Sequence, residues 1–194
     1  MDEEIQIINE NTRREKFKNF IKKYKKILIG SSSAFVLIIF LFFLYSDFKH
    51  KNQLKIADKF NEITTSYDNK KNENIVQDLT SIIYKKDKTY SPLALNFLID
   101  NKIVNDKEKI NKFFDIIINE IKHEKEIKNL ITYKQALYNA ESSTENNLLK
   151  ILNPILNSDS IWKSHSLYLM AEYFYSKNEK DKSKEFLNRI IELD

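Results

Sequence analysis

The sequence predicts an all-α chain: one membrane-spanning helix near the N-terminus, followed by an array of α-helical hairpins. Three observations carry that prediction. Ile27 to Ser46 is a run of twenty residues without a charge, thirteen of them Leu, Ile, Phe or Val. Beyond it, apolar residues recur at spacings of three and four with hardly any strict alternation, which is the period of helices and not of strands. The connections between these helical segments are short, so neighbours pack antiparallel.

At 1.5 Å per residue the apolar run matches a hydrocarbon core of about 30 Å. Each Leu, Ile, Phe or Val favours insertion by roughly 0.3 to 0.6 kcal/mol near the centre, which outweighs Gly30 and a few hydroxyls. Within fifteen residues on the N-terminal side lie eight basic residues (Arg13, Arg14, Lys16, Lys18, Lys22, Lys23, Lys25, Lys26), against four on the other side (Lys49, Lys51, Lys55, Lys59). That asymmetry keeps the head in the cytoplasm. A cleaved secretory signal would have an apolar region of only about 7 to 15 residues, and Tyr45 to Lys49 offers no small-x-small cleavage site. The reading is an uncleaved signal anchor with the body exported: residues 1–26 a cytoplasmic basic head, 27–46 the transmembrane helix, 47–194 an exported helical domain. Gly30 and Ala34 lie one turn apart beside Ser31 to Ser33, a small-residue stripe that permits close approach of a partner helix; such stripes also arise by chance.

After the span, Phe48 to Tyr67 reads as a helix with Leu54, Ala57, Phe60, Ile63 and Tyr67 on one face, able to run on from the membrane helix. Ile75, Val76, Leu79, Ile82 and Ile83 mark the next. Ser91 then serves as N-cap and Pro92 as first helical residue for a helix through Leu95, Leu98 and Ile99. Five more follow at roughly 107–121, 125–140, 145–157, 160–177 and 179–192. Trp162 belongs to the core or to a hairpin junction.

Composition narrows the chemistry. Of 32 basic and 28 acidic residues, eight and five fall in the head, leaving 24 against 23 in the body. A nearly neutral body has little electrostatic reason to bind nucleic acid. Cysteine is absent, so the domain holds together by packing alone. His50, His123 and His165 show no metal-ligand spacing, and the single glycine leaves the body without a phosphate cradle. Carboxylates at helical spacing among lysines read as solvated faces. No cofactor, metal or catalytic residue is expected, and the chain is read as a non-enzyme.

Setting the second helices of three hairpins side by side aligns Ile110, Phe114 and Ile117 with Leu148, Leu152 and Ile155, then with Ser183, Leu187 and Ile190, at offsets of 38 and 35. A period near 34 with a helix pair per unit is the spacing of tetratricopeptide repeats. Leu167 to Tyr175 is similar to the first helix of such a unit, with its small residue at Ala171, and Phe186 to Asp194 looks like the ending of the second. Leu98, Ile110 and Leu148 stand where small residues normally sit, and their width would spread the helix pairs. The array is therefore tetratricopeptide-like.

The head from Ile7-Ile8-Asn9-Glu10-Asn11-Thr12-Arg13-Arg14-Glu15-Lys16 to Ile21-Lys22-Lys23-Tyr24, the early span, and the helix pairs within Tyr90 to Ile121 and Ile161 to Ile191 together resemble the bacterial inner-membrane family of ancillary Sec-translocon subunits. The resemblance covers nearly the full length through degenerate motifs. It implies that the exported domain, 47–194, is periplasmic at a bacterial inner membrane. It also implies a membrane-anchored module that contacts exported polypeptides, with the translocon channel and periplasmic chaperones as partners. Family members usually continue into a further helix where this sequence stops at Asp194, so the last hairpin is expected to be covered by a partner or by a second copy in a homo-oligomer. In this register the concave face receives Leu130, Tyr133 and Leu137, then His165, Tyr168, Glu172 and Tyr175. Tyr133, Leu137, Tyr168, Glu172 and Tyr175 are the candidate partner-binding residues, since tyrosines grip polypeptide with little entropy loss. Ordinary packing is the plain alternative for each. The basic clamp by which some tetratricopeptide domains hold a partner's C-terminal carboxylate is not evident at these positions. A different function consistent with the same features is an envelope assembly scaffold joining folded proteins; extended clients would bind the first kind of protein and not the second.

Overall fold

In the computed structural model, which describes residues 2–67 and 74–193, helix follows helix and no strand occurs among the described residues. Met1, Asp194, residues 68–73 and the side chains of residues 2–12, Leu28 and Ser32 lie outside that set, and with them the head residues Ile7 to Thr12 and one serine of the small-residue stripe. The helices are α1 (Asp2–Thr65), α2 (Ile75–Tyr84), α3 (Tyr90–Asp100), α4 (Lys107–Glu120), α5 (Lys125–Asn139), α6 (Glu145–Leu156), α7 (Lys163–Ser176) and α8 (Lys180–Ile191).

The chain divides into two units, residues 1–54 and 55–194. In the first, the stretch of α1 from Phe35 to Tyr45 carries apolar residues on every side, and all of them are exposed. A helix apolar all round has no polar face to leave in water and no single face to pack, the pattern of a membrane span. Among the described residues this is the one helix long and apolar enough to cross a bilayer. Between Ser31 and Tyr67 the sequence holds neither glycine nor proline, so nothing local ends the helix where the apolar run stops.

In the second unit, α2 packs on α3, and each later helix packs on the one before it. Two clusters of buried side chains result. The first joins Ile56 and Ile63 of α1 to Leu79, Ile82 and Ile83 of α2, Leu95 and Leu98 of α3, and Ile110, Phe113, Phe114 and Ile117 of α4. The second joins Leu148, Leu152 and Ile155 of α6 to Leu167, Met170 and Phe174 of α7 and Phe186 of α8. Helix α5 serves both, Ile131 entering the first and Ala136 the second. Polar side chains fasten this shared helix. Asn139 and Asn111 exchange two amide hydrogen bonds of 2.7 and 2.9 Å between α5 and α4. At its other end, the Ser160 hydroxyl donates to Glu126 Oε2 at 2.7 Å and accepts from Asn129 Nδ2 at 2.9 Å.

Two local expectations are corrected. The buried face of α1 is led by Ile56, with Phe60 half-buried and Ile63 below; Leu54 is exposed and takes no part. Ile56, Phe60 and Ile63 follow the four- and three-residue spacing as well as Leu54 would, so periodicity alone did not separate them. Ser91 is not the N-cap of α3. Asp87 captures the free N–H groups of Thr89 and Tyr90 at 2.9 and 2.8 Å, while Ser91 is buried and donates to the carbonyls of Ile82 and Ile83 at the end of α2. Both residues satisfy helix-end groups, one at each side of the turn. Elsewhere Asp106 caps α4 by accepting from Lys109 N, and Thr144 caps α6 by accepting from Asn147 N.

Candidate partner-binding surface

Helix α7 buries Leu167, Met170, Ala171 and Phe174 in the second cluster. Tyr168, Glu172 and Tyr175, at i, i+4 and i+7, therefore share the opposite, outward side. Across from them stand Ser183 and Leu187 of α8. Together with Ala171 they border an open groove of about 410 Å³. The two small side chains, Ala171 and Ser183, are buried at its base and let the helices approach closely. Its walls are apolar and uncovered: Tyr168 is 52%, Tyr175 67% and Leu187 41% exposed.

Tyr133 of α5 stands beside this set. Its ring stacks on Trp162 at 5.9 Å and meets His165 edge-on at 6.1 Å. Burial, and then the Glu172 carboxylate, push the Tyr133 hydroxyl above its ordinary pKa, so it stays a neutral donor at physiological pH. Trp162 is half-buried against the second cluster, at the junction where α7 begins. Glu172 thus faces both Tyr133 and the groove between α7 and α8. Leu137, the remaining residue of the predicted set, is exposed on α5 one turn from Tyr133 and does not line the groove. In the apolar stretch of α1 a Cβ added at Gly30 would meet nothing within 4 Å and Ala34 is exposed, so both lie on open surface.

Ser183 and Leu187 enter the sequence reading through the repeat alignment and not among the partner-binding residues. In the two earlier hairpins the aligned residues are buried, but α8 buries only Ser183 and Phe186 and leaves Leu187 outside. The adjacent pairs Phe186-Leu187 and Ile190-Ile191 carried the signal. They span an apolar arc wider than one helix neighbour covers.

Among the described residues no three His, Asp or Glu side chains converge as metal ligands. What the surface offers is aromatic and aliphatic area, hydroxyl donors and one carboxylate. No family model, no curated protein and no solved structure matches this chain.

Proposed function

We propose that the chain is a non-enzymatic, single-pass membrane protein whose helical body binds polypeptides. The observation that carries this reading is the uncovered groove of Tyr168, Tyr175 and Leu187. Exposed apolar contact area of this kind marks interaction surfaces, and tyrosine is among the residues that most often dominate binding energy. The body is a tetratricopeptide-like array in which α3/α4, α5/α6 and α7/α8 are successive hairpins, supported by their lengths, order and short connections. The head is cytoplasmic and the body periplasmic at a bacterial inner membrane, supported by the charge asymmetry around the span. A position beside the Sec translocon as an ancillary subunit is supported by the likeness of the basic head, the early span and the helix pairs to that family. Anchoring the body at the channel exit would raise its effective concentration over emerging clients.

A photoactivatable residue at position 168, introduced into the full chain in cells, should crosslink to translocon channel subunits or to exported polypeptides. The purified chain should hold a permanently unfolded client, and Tyr168→Ala with Tyr175→Ala should weaken that hold by about 2 kcal/mol, some thirtyfold. Crosslinks confined to folded envelope proteins, with no client binding, would replace this reading with the scaffold.

A further inference from the structure

We infer that the chain carries a second, smaller binding site between α3 and α5, shaped for a bulky apolar side chain of a polypeptide segment whose neighbouring residues are acidic. The site rests on the polypeptide-binding reading but uses different residues. Helix α4 packs on both α3 and α5 and holds them apart, and its buried Phe114 closes the bottom of the gap. Ile127, Leu130, Ile131 and Lys134 occupy one face of α5 at i, i+3, i+4 and i+7 and form one wall. Pro92, Leu93 and Asn96 form the other. The cavity measures about 300 Å³, and Leu93 and Ile127 at its mouth are 40% and 45% exposed.

Charge determines what such a cavity takes. Among the described residues no carboxylate lines it, whereas two lysines do, Lys88 at the entrance to α3 and Lys134 on α5. Lys59, Lys86 and Lys182 each pair with a carboxylate of the body, but neither Lys88 nor Lys134 makes an ion pair among the described residues. Lys88 also bears on His123, in the turn between α4 and α5. Burial and then the Lys88 ammonium disfavour its protonated form, with Lys128 adding to the effect against a hydrogen bond to the Ile117 backbone. An apolar cavity bordered by two ammonium groups that make no ion pair among the described residues complements an apolar side chain flanked by Asp or Glu. The Asn96 amide and the Thr89 hydroxyl supply polar groups to orient the segment's backbone. At the bottom of the range of about 300 to 1,000 Å³ for ligand cavities, the volume suits one or two side chains and is short for a long acyl chain.

The test uses the full chain in lipid nanodiscs and a short fluorescent peptide with one Phe flanked by Asp residues. Binding should weaken as salt rises and fall about tenfold when Lys88→Glu and Lys134→Glu are combined, while Lys150→Glu on α6 leaves it unchanged. Companion peptides with Phe→Ala or Asp→Asn should bind about tenfold more weakly. No binding of the acidic peptide, equal binding of all three peptides, or indifference to the double reversal overturns the site. So does decanoate that displaces the peptide and binds more tightly, or a dimer in sedimentation that the double reversal dissolves. An unfolded client held through Tyr168 and Tyr175 while the acidic peptide fails removes this site alone. Failure of both removes the polypeptide-binding reading with it.

Discussion

Among the described residues, three side chains occupy backbone positions that glycine usually fills. Lys86, Lys102 and Asn178 have φ of 53°, 51° and 62°, just past the ends of α2, α3 and α7. At Lys102 and Asn178 the turn is closed in the way a helix-ending glycine allows: Ile103 N donates to Leu98 O, and Glu179 N to Phe174 O. For a residue with a Cβ this left-handed conformation costs about 1 to 2 kcal/mol, less for Asn. Lys102→Gly should therefore stabilise the chain by about 0.5 to 1 kcal/mol in urea unfolding, the strain relief being partly offset by glycine's freer unfolded state. Asn178→Gly should gain less. A loss at position 102 would contradict the geometry.

His123 supports a second measurement. Its ring is half-buried with Nε2 unpartnered, and its folded pKa lies below the ordinary value of 6.5. Above that value the folded and unfolded chains both hold it neutral. As pH falls through 6.5, the unfolded chain takes up a proton that the folded chain resists, and stability declines until the folded pKa is passed. Between about pH 7.5 and about pH 5.5 the unmodified chain should lose more melting temperature than His123→Gln does. Parallel curves for the two would show that His123 titrates as it does in the unfolded chain.

Among the elements, α1 is the one whose surroundings decide its meaning. Ile38 and its neighbours are exposed. In water a lysine there would be welcome; in the centre of a bilayer it costs about 2.5 to 3.5 kcal/mol. Ile38→Lys should therefore reduce membrane retention on carbonate extraction, whereas Ser46→Lys at the edge should not. Unchanged retention of the Ile38 variant would mean that something other than this helix holds the chain to the membrane. The other helices depend on neighbours, because the apolar residues they bury, such as Ile110, Phe114 and Ile117 of α4 or Leu148, Leu152 and Ile155 of α6, are covered only by adjacent helices. Periodicity located all of them to within a few residues, since three- and four-residue spacing follows from helix geometry and needs no tertiary information. It misplaced Leu54 and the role of Ser91, because which of two equivalent apolar residues is covered, and which carbonyls a buried hydroxyl reaches, depend on the neighbouring helix.

For the body as a whole, the division of the core matters most. Two clusters meet in α5, so each half is stabilised mainly by its own contacts and by the Asn111–Asn139 and Glu126–Ser160–Asn129 links. Stacked helical arrays behave nearly as sums of local stabilities and neighbour interfaces. Leu152→Ala, at a fully buried position, should cost about 2 to 5 kcal/mol. Hydrogen exchange should then rise across α6, α7 and α8 while α2 to α4 keep most of their protection. Uniform loss throughout the body would mean that the two clusters unfold as one.

The order and period of the apolar residues were enough to establish the helical class, the single apolar segment and the approximate limits of α2 to α8, because those properties are written in spacing along one chain. Tyr168, Glu172 and Tyr175 could be placed on a shared side of α7 for the same reason. Which residues stand across from them could not be read that way. Ser183 and Leu187 complete one groove, and Lys88 meets Lys134 over another, only because separate helices come together in space, and the distance between residues far apart in sequence is set by packing.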